Sequence, residues 1–188
     1  ITADAGRERL VISDSNNHRL IITNLEGEVE TVIGNGESPL ATGDTRGVFG
    51  SRKFVDPLFD NPQGVVIDQD TLYVADAGTH TIVRVDLGDG LASTIAGTGE
   101  QSLYRHEGGP ALKSTLNSPY DLSLDDGKLY IAMAGFHQLW TMNLTEAEVA
   151  PFAGTGAEDI FDDLKDEARL AQPYGIEVSN NAVFFVDS

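Results

Sequence analysis

Residues 72–80 read LYVADAGTH, and closely related stretches recur along the chain. Residues 129–137 read LYIAMAGFH, residues 10–18 read LVISDSNNH, and residues 183–188 (VFFVDS) begin a fourth copy. A glycine-containing tail follows the complete copies, as IAGTG at 95–99, FAGTG at 152–156 and, more loosely, VIGNG at 32–36. Self-similarity of this kind indicates a repeat architecture in which each copy builds the same structural unit.

A short head precedes the copies and places a proline at a fixed point of the unit. Pro62, Pro119 and Pro173 hold this position in NPQG, SPYD and QPYG. The core of one unit is long enough for four short strands with tight turns, the content of one propeller blade. We therefore expect blade units at about 1–36, 61–99, 118–156 and, in part, 172–188. The insertions at 37–60, 100–116 and 157–171 are expected to be loops between blades.

Strand patterns fill the second unit in order. Residues 65–67 are apolar and predict a buried inner strand, and residues 71–76 are rich in β-branched and aromatic side chains. Residues 81–87 and 91–97 predict the third and fourth strands. No segment shows convincing helical periodicity; residues 159–170 come closest and predict a short helix or a turn.

The unit resembles the NHL repeat, a propeller blade with a proline head, an LYVAD strand, a histidine and an AG-x-G tail. The resemblance implies an all-β fold, a β-propeller of four-stranded antiparallel blades, with about half of a six-bladed ring in this chain. Residues 116–121 (LNSPYD) and 131–140 (IAMAGFHQLW), with Met133 in place of aspartate, are most similar to the NHL repeat-containing protein 2 family. Members of that family carry a thioredoxin-like domain beside the propeller. The resemblance therefore implies a larger parent protein and favours a cytoplasmic location.

Composition excludes several classes of function. The chain has 12 Lys and Arg against 30 Asp and Glu, a net charge of −18. Nucleic-acid binding is disfavoured because it needs concentrated positive charge, and Arg46, Arg52 and Lys53 form the only modest basic cluster. No apolar run approaches the length of a membrane span, so no membrane contact is expected. The absence of cysteine excludes disulfides and thiolate metal sites from this chain.

Residues that recur at one position of the unit are expected to be structural. Polar groups at buried strand ends must find hydrogen-bond partners, and a carboxylate there accepts backbone N–H groups of the following turn. The positions expected to serve the fold are Asp14, His18, Asp76, His80, His137, Asp187, Pro62, Pro119, Pro173, Gly97 and Gly154. Met133 breaks the aspartate pattern, so the third blade must satisfy its head groups in another way.

Few residues point to catalysis, and no catalytic, cofactor or metal site is predicted. Among the residues of the predicted inner strands only Glu177 offers a metal ligand, and His106 is the one histidine outside the repeat. The sequence favours a non-catalytic scaffold that binds a protein or small ligand on the loop rim of a larger protein. Remaining blades, or another copy of the chain, are expected to cover its open apolar faces. The alternative is a propeller enzyme, a lyase or lactonase-like hydrolase with a metal in the central channel.

Overall fold

The computed structural model describes residues 1–42, 50–56, 58–102, 104 and 107–188. These residues form β-strands joined by turns and short 3-10 segments. Three antiparallel sheets and a two-stranded hairpin follow one another along the chain. The four main strands of each sheet are hydrogen-bonded in sequence order, and in the second and third sheets a short strand from earlier in the chain pairs with the last of them. The predicted all-β architecture of four-stranded antiparallel blades is confirmed. Within the described residues, no helix has the length and apolar character needed to cross a membrane.

The strands of the four units are as follows. The first blade consists of β1 (Thr2–Asp4), β2 (Arg9–Asp14), β3 (Arg19–Asn24) and β4 (Val29–Ile33). The second consists of β5 (Arg52–Lys53), β6 (Pro62–Asp68), β7 (Thr71–Asp76), β8 (Thr81–Asp86) and β9 (Leu91–Ala96). The third consists of β10 (Gly109–Pro110), β11 (Pro119–Asp125), β12 (Lys128–Met133), β13 (Gln138–Asn143) and β14 (Glu148–Ala153). The hairpin contains β15 (Gly175–Ser179) and β16 (Ala182–Val186).

The innermost strands are longer than the apolar runs that predicted them. β6 begins at Pro62, and its pairing with β7 shifts register between Pro62 and Val65. β11 begins at Pro119 with a comparable shift before Asp121. The proline at the start of each strand has no N–H to pair, and the irregularity behind it lets the strand continue.

The first two insertions are more than loops. β5 pairs with β9 at the outer edge of the second blade, and β10 pairs with β14 at the outer edge of the third. Each insertion therefore supplies a short fifth strand to the blade that follows it. An unpaired outer edge invites association with other strands, and these short strands cover part of it.

The segment 159–170 forms no helix. Phe161 and Arg169 form an isolated antiparallel bridge, so the segment folds back on itself. The N–H of Gly154 donates to the carbonyl oxygen of Lys165 at 2.7 Å, and that of Thr155 donates to Ala168 at 2.8 Å. A helix this short is marginal without packing, and these bonds to the blade tail hold the loop in another conformation.

Apolar side chains pack in layers between successive blades. One cluster joins the first and second blades and includes Leu20, Phe59 and Val83, all fully buried. A second joins the second and third blades, with Trp140 at 0% exposure. A third, smaller cluster joins the third blade to the hairpin through Ile176. The blade-on-blade stacking expected of a propeller thus buries the apolar face of each sheet.

Candidate functional site

Counted from the inner strand, the second and third strands of each complete blade are joined by the same corner; they are β2–β3, β7–β8 and β12–β13. A 3-10 turn follows the second strand in the first and third blades, and in all three blades a histidine then adopts left-handed backbone dihedrals. The φ angles are 53° at His18, 55° at His80 and 55° at His137. We call this end of the blades the histidine end. The insertions leave and re-enter the sheets at the same end, so repeated and variable residues meet there.

Two of these histidines join their blade to the head of the next unit in the same way. His18 Nδ1 is hydrogen-bonded to the carbonyl oxygen of Asp60. His137 Nδ1 is hydrogen-bonded to the carbonyl oxygen of Ala171. Because a carbonyl oxygen only accepts hydrogen bonds, Nδ1 carries the proton in both rings. The two histidines therefore act as donors that connect consecutive units.

His80 plays the opposite role. The backbone N–H of Ser118 donates to His80 Nδ1 at 3.0 Å, so this nitrogen carries no proton. Burial lowers the pKa of His80, while the carboxylate of Asp60 acts against this effect. Accepting a hydrogen bond and titrating below the usual range both keep the ring neutral, with its proton on Nε2.

The aspartate that ends the second strand holds the head of its own unit. Asp76 is fully buried and accepts the N–H groups of Asp60 at 2.9 Å and Asn61 at 2.7 Å. The hydroxyl of Thr79 donates to the same carboxylate at 2.8 Å. Burial raises the pKa of Asp76, and these three hydrogen bonds oppose the rise. Asp187 repeats the pattern by accepting the N–H of Ala171 at 2.8 Å.

Asp14 is held by side chains of the following turn and strand. The Nε of Arg19 and the side-chain amide of Asn17 each donate to it at 2.8 Å. Arg19 lowers the pKa of Asp14, and Asn17 adds to the effect.

The third blade replaces the buried aspartate network with an apolar one. Met133 is fully buried, and the ring of Phe136 stacks on Trp140 with centroids 5.4 Å apart. The indole N–H of Trp140 donates to Gln138 Oε1 at 3.1 Å, and Gln138 Nε2 donates to the carbonyl oxygen of Gly154 at 2.8 Å. Without an aspartate at this position, the head N–H of Ser118 bonds to the histidine of the preceding blade instead.

The repeated glycines and prolines serve the same corner. Gly97 and Gly154 have φ of 93° and 92°, and an added Cβ would lie 2.4 Å and 2.9 Å from the carbonyl oxygens of His80 and His137. Only glycine combines this conformation with so close an approach. The prolines of the heads are buried at or just before an inner strand; they are Pro62, Pro119 and Pro173.

A polar cavity of about 350 Å³ lies at the histidine end between the third blade and the hairpin. Gln101 and Glu158 reach it from two different insertions, and Asn117, Tyr120 and His137 line it from the repeat. The Asn117 side chain is fixed by hydrogen bonds to the carbonyl oxygens of Ser102 at 2.8 Å and Gly135 at 2.9 Å. We call this cavity the rim pocket. It joins variable loops to a rigid frame.

A second polar cavity, of about 310 Å³, lies against the inner strands and contains a carboxylate that the sequence analysis missed. Asp121 lines it together with Glu177, and its Oδ2 accepts the N–H of Ile176 at 2.9 Å. Burial raises the pKa of Asp121; the backbone N–H groups of Ile176 and Leu122 oppose the rise, and the Glu177 carboxylate adds a smaller increase. The available signal was that Asp121 stands where the other heads have Gly64 and Gly175. The inner strand was predicted to begin one residue too late to include it.

His106 was the second residue, beside Glu177, that the sequence singled out as a possible functional group. His106 lies outside the described residues. In the parts of the chain that the structure describes, no three His, Cys, Asp or Glu side chains converge as metal ligands would.

Comparison with known proteins agrees with the repeat and the fold. Residues 59–85 match the NHL repeat. The whole chain is 31% identical over 212 residues to NHL repeat-containing protein 2 of Gallus gallus, of which it spans 28%. A chain of the nidogen/laminin complex aligns with a TM-score of 0.63 at 15% identity, covering 98% of this chain and 53% of that one. A streptogramin B lyase aligns with a TM-score of 0.57 at 14% identity, covering 100% and 46%.

The solved structures, at such low identity, show a likeness of fold alone. The alignment with NHL repeat-containing protein 2 covers the whole chain and therefore all four units. The NHL-repeat match covers part of the second blade, from its head to β8. The chain therefore carries the NHL repeat in a β-propeller-like fold and is similar along its whole length to NHL repeat-containing protein 2.

Proposed function

We propose that this chain is a non-catalytic propeller scaffold that binds a protein or small ligand at its histidine end, as part of a larger protein. The observation that carries the proposal is the rim pocket. Its residues come from two insertions of unrelated sequence and from the fixed corner of the repeat. Variable loops on a rigid frame are the usual arrangement for recognition surfaces.

The chemistry of the rim pocket supports binding more than catalysis. Its polar groups include the amides of Gln101, Asn117 and Gln172, which donate and accept hydrogen bonds without titrating. Tyr120 adds an aromatic face and lies 5.9 Å from Tyr174 between ring centroids. His137, the one histidine among the described residues of the pocket, already uses Nδ1 to hold the head of the hairpin unit. Among the described residues that line the pocket, the hydroxyl of Ser118 donates to Asn117 Oδ1 at 3.3 Å, and no hydrogen bond pairs it with a base.

The larger protein is part of the proposal. The chain spans 28% of its full-length relative, and the resemblance to the NHL repeat-containing protein 2 family implies a thioredoxin-like domain elsewhere in the parent. The nidogen/laminin complex shows a chain of this fold within a protein–protein assembly. A scaffold of this kind brings its partner close to whatever chemistry the rest of the parent carries.

Site-specific photo-crosslinking tests the rim. A benzoylphenylalanine is placed at Gln101 or Glu158, both exposed at the rim, or at Asp89, which is exposed at the opposite end of the second blade. In lysate of the source cells, the two rim positions are expected to give adducts of discrete mass. Excess unlabelled chain should suppress these adducts, and the Tyr120→Ala chain should suppress them at least fivefold less well. Identical adducts from Asp89 would refute a rim-specific role.

A second candidate function rests on Asp121. This half-buried carboxylate with a raised pKa faces a polar cavity beside Glu177, an arrangement suited to acid–base chemistry or to a metal in the channel of a propeller enzyme. Calorimetric titration of the chain with Zn²⁺ and with Ca²⁺ tests the metal version. The expected result for this candidate is saturable heat that the Asp121→Asn variant loses. Equal heats from the two proteins would remove the candidate and leave the scaffold.

A further inference from the structure

A cavity of about 290 Å³ separates the second and third blades away from the rim pocket. Its apolar wall includes Ile95, Met142 and Leu144, and its polar residues are Tyr73, Arg84 and Thr94. The volume is close to the lower end of the range for small-molecule sites. The stacked faces of the second and third blades thus leave a space large enough for a small molecule between them.

The repeat supplies a comparison between this layer and the one before it. The N–H of Gly34 donates to the carbonyl oxygen of Phe54 at 2.7 Å, and the N–H of Gly97 donates to that of Ala111 at 3.0 Å. Phe54 and Ala111 are therefore equivalent positions in successive insertions. Between the first two blades, the Phe54 side chain packs against the core. Between the second and third, Ala111 offers only a methyl group.

The strand pairing identifies a second difference between the two layers. Val11 pairs with Ile22 in the first blade, and the equivalent pair in the second blade is Tyr73 with Arg84. Val11 and Ile22 are buried in the first layer. Tyr73 and Arg84 instead line the open cavity of the next layer. Two aliphatic side chains that fill the first layer are thus replaced in the second layer by two side chains that form hydrogen bonds.

Thr94 is the third polar group and the one without a partner. Its side chain is 7% exposed, and its Oγ1 has no hydrogen-bond partner among the described residues. A buried hydroxyl without a partner is costly, and it is uncommon in a folded protein. Rotation about χ1 moves the hydroxyl from one staggered position to another and so changes the direction in which it donates.

The charges of the side chains that line the cavity indicate whether its ligand is charged or neutral. The guanidinium of Arg84 donates to the carboxylate of Asp86 at 3.0 Å, so its charge is already balanced. Burial raises the pKa of Tyr73, which keeps its hydroxyl protonated and able to donate. The cavity therefore offers an apolar wall and neutral O–H donors, without a free charge for an anionic head group.

We propose that this interblade cavity binds an uncharged small molecule with an apolar body and one hydrogen-bond acceptor, such as a ketone or an ester. The apolar body lies against Ile95, Met142 and Leu144, and the acceptor receives a hydrogen bond from Thr94 or Tyr73. This site is separate from the rim pocket, and neither site depends on the other.

Two probes of similar size test the proposal by NMR titration of the full chain. The probes are 4-phenyl-2-butanone, which carries a carbonyl acceptor, and n-butylbenzene, which carries none. The ketone is expected to bind saturably at submillimolar to millimolar concentration and to shift the amide signals of Thr94, Ile95 and Met142. Its affinity should exceed that of butylbenzene about fivefold. Absence of saturation, or shifts confined to other parts of the chain, would overturn the proposal.

Variants taken from the repeat complete the test. Thr94→Val is expected to reduce ketone affinity about fivefold and to leave butylbenzene affinity unchanged. Ala111→Phe places in this layer the side chain present at the equivalent position of the previous one, and should abolish binding of both probes. Thr141→Val, on the third blade and not among the residues lining the cavity, is the matched control and should change neither. Retention of ketone binding in both the Thr94→Val and Ala111→Phe chains, each with a native-like amide spectrum, would refute the site.

Discussion

The backbone N–H of Ser118 donates to Nδ1 of His80 at 3.0 Å, which reverses the role of the histidines at the two equivalent corners. The cause lies in the next unit, where Met133 stands in the position of the buried Asp76. Asp76 accepts the N–H of Asn61 at 2.7 Å, and Ser118 is the equivalent of Asn61. One substitution in a strand thus changes the proton position on a histidine of the neighbouring blade.

The first prediction concerns that proton. We expect His80 to carry its proton on Nε2, and His18 and His137 to carry theirs on Nδ1, because acceptor and donor roles at Nδ1 require opposite tautomers. Long-range nitrogen–proton correlation spectra of the histidine rings distinguish the two forms. The same tautomer at all three rings would contradict the assignment.

The second prediction concerns pH and follows from the lowered pKa of His80. In the unfolded chain His80 takes up a proton near its ordinary pKa of about 6.5, whereas the folded chain takes it up only at lower pH. Between these values the unfolded state binds more protons, so stability falls as pH decreases below about 6.5. Urea unfolding between pH 5.5 and 7.5 measures the effect.

The His80→Gln variant is the control for this dependence. Its amide oxygen can accept the Ser118 N–H, but the side chain does not titrate. The variant is expected to lose the His80 contribution to the pH dependence while other groups continue to titrate. Parallel stability profiles for the two proteins would show that His80 is not the responsible group.

The third prediction tests the exchange of networks in the third blade. Met133→Asp alone buries a carboxylate beside Phe136 and should reduce the free energy of unfolding by roughly 3 kcal/mol. Adding Phe136→Thr restores the counterpart of Thr79 and should recover about 1 kcal/mol more than the sum of the single effects predicts. Denaturant unfolding of the four proteins gives this coupling energy. Simple additivity would mean that the two positions do not act together.

The fourth prediction concerns the glycine at the histidine end. Gly97→Ala places a Cβ 2.4 Å from the carbonyl oxygen of His80 at a φ of 93°, and should cost roughly 3 kcal/mol of unfolding free energy. Gly90→Ala is the matched control, since Gly90 also has positive φ (68°) but nothing lies within 4 Å of its added Cβ. It should cost only about 1 kcal/mol, the penalty of the left-handed backbone. Equal losses in thermal unfolding would exclude the close contact as the cause.

The fifth prediction concerns the open face of the hairpin. Phe184 is 59% exposed and Val186 is 62% exposed on β16, which pairs only with β15 among the described strands. Exposed apolar side chains on an unpaired strand favour association. We expect the chain to self-associate with increasing concentration in light scattering, and the Phe184→Lys/Val186→Lys variant to remain largely monomeric.

Ile160→Lys/Leu164→Lys is the control for this association. Ile160 is 74% and Leu164 is 72% exposed in the third insertion, so the double change adds the same two charges away from the strand edge. It should leave self-association unchanged. A wild-type chain that stays monomeric at high concentration, with slow amide exchange throughout Ala182–Val186, would contradict the expectation.

Local sequence determined the blade. The alternation of β-branched and aromatic residues in Thr71–Asp76, the turn residues around it and the glycine of the tail act within one unit, and each recurs in every complete copy. Strand propensity and turn chemistry are short-range effects, so the repeat, its strands and its corner could be predicted. The family resemblance rested on the same residues.

Only the tertiary structure determined the hydrogen bonds and the packing between neighbouring units. Whether Nδ1 of His80 donates or accepts depends on Met133, which lies more than fifty positions along the chain and in another sheet. The cavity between the second and third blades is lined by side chains of both, such as Thr94 and Met142. The carboxylate facing the inner strands depends on a proline-led strand that starts earlier than its apolar run. Hydrogen-bond satisfaction and packing between blades are long-range effects. They are fixed by which side chains the stacked sheets bring together, and no pattern within a single unit contains them.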